Sequence, residues 1–229
     1  MTAAVQNLSH WQPVPVPAAI PLPGRWVTLE PLSATRHTAS LWQAVNGHDH
    51  IWTWLGDGPY AVQADLATAL AAKESGAAAR FYAILPTSSG VTEGYASLMR
   101  IDPANGVIEV GNVLFAPSLQ RTSAATETIY LLARYIFEDL GYRRFEWKCN
   151  ALNQPSRQAA LRLGFTYEGI FRQHMVIKGQ NRDTAWYAML DSEWPARKRA
   201  FEAWLAPENF DSSGKQIRTL ASFAAEITR

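Results

Sequence analysis

The stretch best equipped for chemistry is Gly111-Asn112-Val113-Leu114-Phe115-Ala116-Pro117-Ser118-Leu119-Gln120-Arg121-Thr122-Ser123-Ala124-Ala125-Thr126-Glu127. A strand pattern ends at Phe115, a short loop carries Pro117, and a helix pattern begins near Ser123. Residues 122 to 126 all have small side chains, so the backbone N–H groups at the helix start can come close to a ligand. Those amides lack acceptors within the helix, and the helix dipole adds partial positive charge, so an anion such as a pyrophosphate is favoured there. Small residues also open ordinary helices, and this stretch alone does not separate the two. Cys149 alternates with Phe145 and Trp147 on one strand face, which fits a buried, inert thiol better than a nucleophile. His48 and His50, one residue apart, are thin evidence for a metal, and no metal is expected.

The elements that must position these residues follow from the hydrophobic pattern. Residues 1–24 hold Pro13, Pro15, Pro17, Pro21 and Pro23, a spacing that forbids helix and favours an extended N-terminal arm. From Arg25 the pattern becomes regular. Arg25–Leu32 reads as a strand, Ser33 as the cap of a helix with Leu41, Trp42 and Val45 on one face, and Ala61–Ser75 as a second helix closed by Gly76. Between the helices lies an aromatic loop, His48–Tyr60. Three strands follow, Arg80–Leu85, Thr92–Arg100 and Val107–Phe115, joined by turn-forming residues of hairpin length. Ser123–Leu140 reads as one long helix ended by Gly141. After it come the strand Arg144–Cys149, the helix Pro155–Leu163 and the strands Tyr167–Lys178 and Asp183–Leu190. A helix over Ala196–Leu205 opens a C-terminal extension, 195–229. The order predicts an α+β fold, with a mostly antiparallel sheet, one crossover unit and a main domain spanning 25–194.

Composition narrows the function. The 229 residues are 48% hydrophobic, enough for a full core. With 21 basic against 20 acidic residues the net charge is +1, so no large basic field is available for nucleic acid or anionic lipid. The one cysteine cannot form an intramolecular disulfide, and no export signal or membrane-spanning run is read, so a cytoplasmic setting is expected. No Gly-x-Gly-x-x-Gly follows an early strand, which argues against a dinucleotide-binding oxidoreductase.

The run around residue 120 resembles the acyl-CoA motif of the GNAT superfamily, Q/R-x-x-G-x-G/A, with Gln120, Ser123 and Ala125 at its marked positions. Ala125-Thr126-Glu127 looks like the Ala-Thr-Glu that follows it in the RimJ/RimL-like branch. Asn153-Gln154-Pro155-Ser156 with Leu163-Gly164-Phe165 resembles that branch's second signature. One departure is Ser123 where the motif has its central glycine. The resemblance implies a GNAT-type mixed sheet with helices on both faces, and an N-acetyltransferase that takes acetyl-CoA. It implies that Val107–Phe115 splays from Arg144–Cys149 to admit the pantetheine arm. The cofactor would lie against Val113, Leu114 and Phe115, against Gln120, Arg121, Thr122, Ser123, Ala124, Ala125 and Thr126, and near Asn153 and Ser156.

The same resemblance distributes the catalytic roles. The tyrosine that many members place seven residues after the motif asparagine is Ala160 here, so the branch's serine, Ser156, is the group expected to serve the departing thiol. Its alternative role is capping beside Pro155. Glu109 is the candidate base on the strand lining the cleft, with Glu146 or a water in reserve. On the acceptor side the loop offers His48, Trp52, Trp54 and Tyr60, with packing as their alternative use. The acceptor is a primary amine, either a protein N-terminus or an amine-bearing small molecule, and a homodimer is an allowed assembly. A non-catalytic acyl-CoA-binding module, acting as sensor or partner subunit, is the second reading that Ala160 keeps open. If backbone amides hold the pyrophosphate, calorimetry should give the same CoA affinity with and without a chelator. Affinity lost to the chelator would contradict it.

Overall fold

The structure is a computed structural model that describes residues 7–227. Among them an eight-stranded sheet runs in the order β1-β2-β3-β4-β5-β6-β8-β7. Its strands are β1 (Leu22–Pro23), β2 (Val27–Pro31), β3 (Ala79–Pro86), β4 (Gly94–Asp102), β5 (Val107–Phe115), β6 (Arg144–Asn150), β7 (Thr166–Ile177) and β8 (Gln180–Leu190). The helices are α1 (Ala34–Val45), α2 (Gln63–Ser75), α3 (Ser123–Arg134), α4 (Gln154–Arg162), α5 (Trp194–Leu205) and α6 (Leu220–Ile227). The meander β2 to β5 is antiparallel throughout, and β5 pairs with β6 in parallel across α3. This is the α+β, mostly antiparallel architecture expected, with helices on both faces.

Alternation along the strands feeds two cores. One face of the sheet, with Ile108, Val110, Phe145 and Trp147, packs against Ile129 and Leu132 of α3, Ile136 just beyond its end and Phe201 of α5. The other face contributes Ala83, Tyr95 and Leu114 to a cluster with Leu41 and Val45 of α1 and Leu66 and Leu70 of α2. Side chains on successive strand residues point to opposite faces, so β5 and β6 each present one face to α3 and the other to the α1–α2 side.

Several boundaries differ from expectation for local reasons. The helix predicted over Ser123–Leu140 is α-helical only to Arg134, after which Tyr135–Asp139 forms a π turn. There the Leu140 N–H donates to the Tyr135 carbonyl at 3.1 Å, five residues back, and Gly141 leaves the turn at φ 75°. Ser33 stands at the N-cap position of α1, but its side chain makes no capping bond. Glu74 of α2 meets that end instead, accepting from the Ala34 N–H at 2.8 Å. The predicted strand Arg25–Leu32 begins at Val27, because the chain reverses at Gly24 to pair the short β1 with β2. α6 lies in a segment where sequence reasoning assigned no structure.

That reversal is fastened by Glu127 of α3, a buried carboxylate. Its Oε1 accepts from the Arg25 N–H at 3.0 Å, and its Oε2 accepts from the N–H groups of Trp26 and Val27. A Cβ at position 24 would stand 2.6 Å from Oε2, which accounts for the glycine. Before the reversal the arm crosses the ends of the strands. Trp11 Nε1 donates to the Ala104 carbonyl at 2.7 Å, Arg80 Nε to the Pro17 carbonyl, and Tyr82 Oη to the Ala18 carbonyl. Three amides depend on one carboxylate, so Glu127→Ala should lower the unfolding free energy by about 2–5 kcal/mol. Urea denaturation would check this, and a loss near zero would show that water replaces the carboxylate.

Candidate active site

β5 and β6 pair from Val107↔Arg144 to Val110↔Trp147 and no further. Each keeps its other neighbour beyond that point, β5 staying with β4 to Phe115 and β6 with β8 to Asn150. The cause lies on β5. Its register against β4 slips between Tyr95↔Leu114 and Ser97↔Gly111, so Asn112 and Val113 together oppose Ala96. Asn112 takes φ 49°, a left-handed conformation that asparagine tolerates, and its Nδ2 donates to Ser97 Oγ at 3.1 Å. A bulge of this kind bends its strand. The edge of β5 from Gly111 to Phe115 therefore faces a gap rather than β6. Val113 and Phe115 turn their side chains to the α3 core, and Leu114 turns its own to the α1–α2 core.

Past Phe115 the loop is braced from within. Gln120 Nε2 donates to the Phe115 carbonyl at 3.0 Å, so this side chain ties the loop to the strand end. Arg121 is left-handed at φ 63°, a conformation that costs a non-glycine residue of order 1 kcal/mol, and it swings the chain into α3. Thr122 is the N-cap: its hydroxyl accepts from the Ala125 N–H at 3.1 Å and donates to the Leu119 carbonyl at 2.7 Å. The amides of Ser123 and Ala124 precede the first acceptor that the helix supplies, and they open the turn as donors without helical partners. Thr126, buried, back-bonds to the Thr122 carbonyl.

α4 supplies the second cluster. Its N-cap is Asn153, whose side chain accepts from the Ser156 N–H at 3.2 Å. The Ser156 hydroxyl is thus released from capping. It accepts instead from the indole Nε1 of Trp147 at 3.0 Å, which leaves its own proton to donate. Trp147, on β6 at the last paired position before the gap, is a site residue that sequence reasoning took only as an apolar strand residue. Beside Ser156 sits Cys149, whose thiol burial pushes above its ordinary pKa, as suits an inert cysteine. Ala160 is fully buried in the core.

On the opposite face of the same strands lies a chain of charges. Glu109 and Glu146 stand side by side in the parallel register. Lys148 Nζ bridges them, 3.0 Å from Glu109 Oε2 and 2.6 Å from Glu146 Oε2, with all three side chains under 10% exposed. Arg100 Nε reaches Glu109 Oε2 at 2.9 Å, and Arg144 Nε reaches Glu146 Oε1 at 2.7 Å. Glu109 lies on β5, the strand expected to carry it, and it is buried. Burial pushes its carboxyl above the ordinary value, while Lys148 and Arg100 pull it down and Glu146 pushes it further up. Lys148 also lies 3.8 Å from the ring centroid of Trp186, which contacts Phe171 and His174. These three rings, absent from the sequence-level candidates, stand next to the carboxylates on the face that α1 and α2 also cover.

The aromatic loop divides. Trp52 is buried against Tyr60, their centroids 5.2 Å apart, and Tyr60 Oη donates to Asp57, which also holds Lys73. Trp52 is thus packed inside, Tyr60 is half-buried and lines a cavity with Lys73 and Phe81, and Trp54 and His48 are exposed. The loop is tied to the β7–β8 turn, where Lys178 donates to the Trp52 carbonyl at 3.1 Å. Among the described residues no group of three His, Cys, Asp or Glu side chains could hold a metal ion, and no helix is long and apolar enough to cross a membrane.

Comparison with known proteins agrees with this geometry. The family model described as "Acetyltransferase (GNAT) domain" matches residues 27–166. A solved GCN5-related N-acetyltransferase from Brucella melitensis is 49% identical, with a TM-score of 0.94 over 95% of this chain and 100% of that one. A GNAT-family structure from Chromobacterium violaceum is 37% identical, with a TM-score of 0.79 over 85% and 98% of the two chains. The ribosomal-protein-serine acetyltransferase of Escherichia coli is 33% identical over 101 residues, 44% of this chain. The chain spans little over half the length of the curated relatives it matches, 57% and 56% for two of them. A strand pair that parts beside a capped, small-residue helix start, within a matching sheet and a matching family model, places this chain in the GNAT family of N-acetyltransferases.

Proposed function

We propose that this chain is an enzyme that transfers the acetyl group of acetyl-CoA to a primary amine, with a protein N-terminus as the foremost acceptor. The observation that carries the reading is the parting of β5 from β6 after Val110↔Trp147, beside the free first-turn amides of α3 and the Ser156 hydroxyl. These groups fit acetyl-CoA: amide donors for a pyrophosphate, an unpaired strand edge for an amide-bearing arm, and a hydroxyl donor for a thiolate. The thioester supplies an acyl group activated for attack by an amine. The protein must polarise its carbonyl, take a proton from the ammonium and stabilise the sulfur that departs. Backbone N–H groups of β5 at Val113 to Phe115 serve the first need, Glu109 the second and Ser156 the third. Elevation of the Glu109 carboxyl by burial makes it a stronger base than an exposed carboxylate. Glu146 and a water are the reserves. The setting that suits this chemistry is the cytoplasm.

A protein N-terminus is favoured because the relative from E. coli is named for ribosomal-protein serine acetylation. The non-catalytic alternative rested on Ala160. With Ser156 freed by Asn153 and oriented by Trp147, a hydroxyl is in place without a tyrosine. Acetyl-CoA turnover, read as free thiol release against a panel of amines and short peptides, tests the proposal. Thiol release with none of them would overturn it.

Two variants probe the roles. Ser156→Ala should slow turnover about ten- to a hundredfold while CoA affinity stays within a few-fold, since the hydroxyl acts on the departing sulfur. Trp147→Phe, which keeps a ring but loses the N–H, should slow it in the same sense by less. Equal turnover in Ser156→Ala removes that residue from the mechanism. For Glu109, the acid limb of kcat/KM reports its ionisation. Because the carboxyl is raised, activity should fall as pH drops through a value above the ordinary carboxylate range. Glu109→Gln should lower the rate steeply near neutrality and regain part of it at high pH, where more acceptor arrives as free amine. An unchanged profile in that variant would reject the assignment and turn attention to Glu146.

A further inference from the structure

At the far end of α4 from Ser156, Arg162 is an exposed cation with no carboxylate within ion-pair distance among the described residues. Two contacts fix where it points. Its Nη1 donates to Thr126 Oγ1 at 3.1 Å, which anchors it on the first turn of α3. Its guanidinium lies 4.9 Å from the ring centroid of Trp204, which belongs to α5 in the C-terminal extension. Trp204 is itself held, its Nε1 donating to Gln216 Oε1 at 2.7 Å and its ring meeting Phe210 edge-on. A long, rotamer-rich side chain is thus ordered without an acid to neutralise it. Nε and Nη2, the rest of the planar fork, have no acceptor among the described residues.

We infer that Arg162, positioned by Trp204 and Thr126, binds the 3′-phosphate of the CoA ribose. The inference rests on the acetyl-CoA reading above and extends it to a second anion site. The free amides of α3 are at Ser123 and Ala124, and the anchor Thr126 lies two to three residues further along the helix, about 3–5 Å at 1.5 Å per residue. Arg162 therefore stands beside those amides rather than over them. The charge that CoA carries outside its pyrophosphate is the 3′-phosphomonoester, close to a dianion at neutral pH, and a planar guanidinium fork matches its oxygens in a bidentate way. No bond is made or broken, so this is recognition only. It gives the C-terminal extension a function: its tryptophan aims a cation at the cofactor.

Calorimetry on the full chain with CoA and with 3′-dephospho-CoA tests this without any turnover. Wild type should bind CoA about ten- to a hundredfold more tightly than dephospho-CoA, the range expected for a charge-assisted contact. Arg162→Gln should bring CoA affinity down to that of dephospho-CoA and leave dephospho-CoA affinity unchanged, and Arg162→Lys should keep part of the preference. Trp204→Leu should reduce the preference ratio, a quantity that mere loosening of the fold would not move selectively. Equal binding of the two ligands by wild type, or an equal loss for both in Arg162→Gln, overturns the inference while leaving the acetyl-CoA reading intact. Failure of wild type to bind either ligand would remove both.

Discussion

The site depends on where a ladder of backbone hydrogen bonds stops. β5 and β6 are central strands, and a central strand that leaves its neighbour exposes polar groups that the rest of the sheet satisfies. The bulge at Asn112 and Val113 makes that departure stable, since it bends β5 while the pairing with β4 resumes on its far side. The Asn112 amide on Ser97 Oγ fixes the left-handed residue, and Gly111 leaves room for the Met99 sulfur beside it. Every other part of the site is placed relative to this opening. α3 follows β5 after the loop 116–122 and α4 follows β6 after a short turn, so each helix is set by the strand on its own side of the gap.

Because the two strands separate along their length, their two faces are used differently. On the α3 side the walls are apolar, with Trp147 reaching to Ser156. On the other side Glu109, Glu146 and Lys148 form a triad with little exposure. Removing one charge from such a triad costs several kcal/mol, because the remaining charges lose their partner in a poorly solvated place. The triad is therefore a structural lock across β5 and β6. Its arrangement sets a limit on Glu109 as base: Lys148 and Arg100 hold its carboxylate charged, and burial opposes them.

Much of this was legible in the sequence, and the part that was not has a common cause. Small residues at 122 to 126 announced the helix start, and the strand turns announced the meander, because both depend on local geometry. The Asn-x-x-Ser run marked Ser156 as either cap or donor, and the capping role falls to Asn153, which takes the Ser156 amide. What the sequence could not reveal were partners distant along the chain. Trp147 donating to Ser156, Lys148 bridging two carboxylates and Lys178 reaching Trp52 all need the register of non-adjacent strands. Alternation put Glu109 on the face opposite Ile108 and Val110 but gave no burial for it. Nor could an aromatic loop show which of its rings turn inward: Trp52 is buried, Tyr60 half-buried and Trp54 exposed.

The flanking segments complete the argument about rigidity. A helix start can meet an anion at low entropic cost only if it does not move when the anion arrives. α3 is held from both sides: Glu127 fixes it to the chain reversal at Gly24, and Tyr130 meets Trp194 and Phe201 of α5. Tyr135, in the π turn that follows, accepts from the Ala18 N–H of the arm at 2.9 Å. Arm, central sheet and C-terminal helices thus converge on one helix, the one whose first turn carries the unpaired amides. The extra residues on either side of the sheet brace the helix whose first turn carries the unpaired amides, and through Trp204 they hold the Arg162 guanidinium at the same end of it.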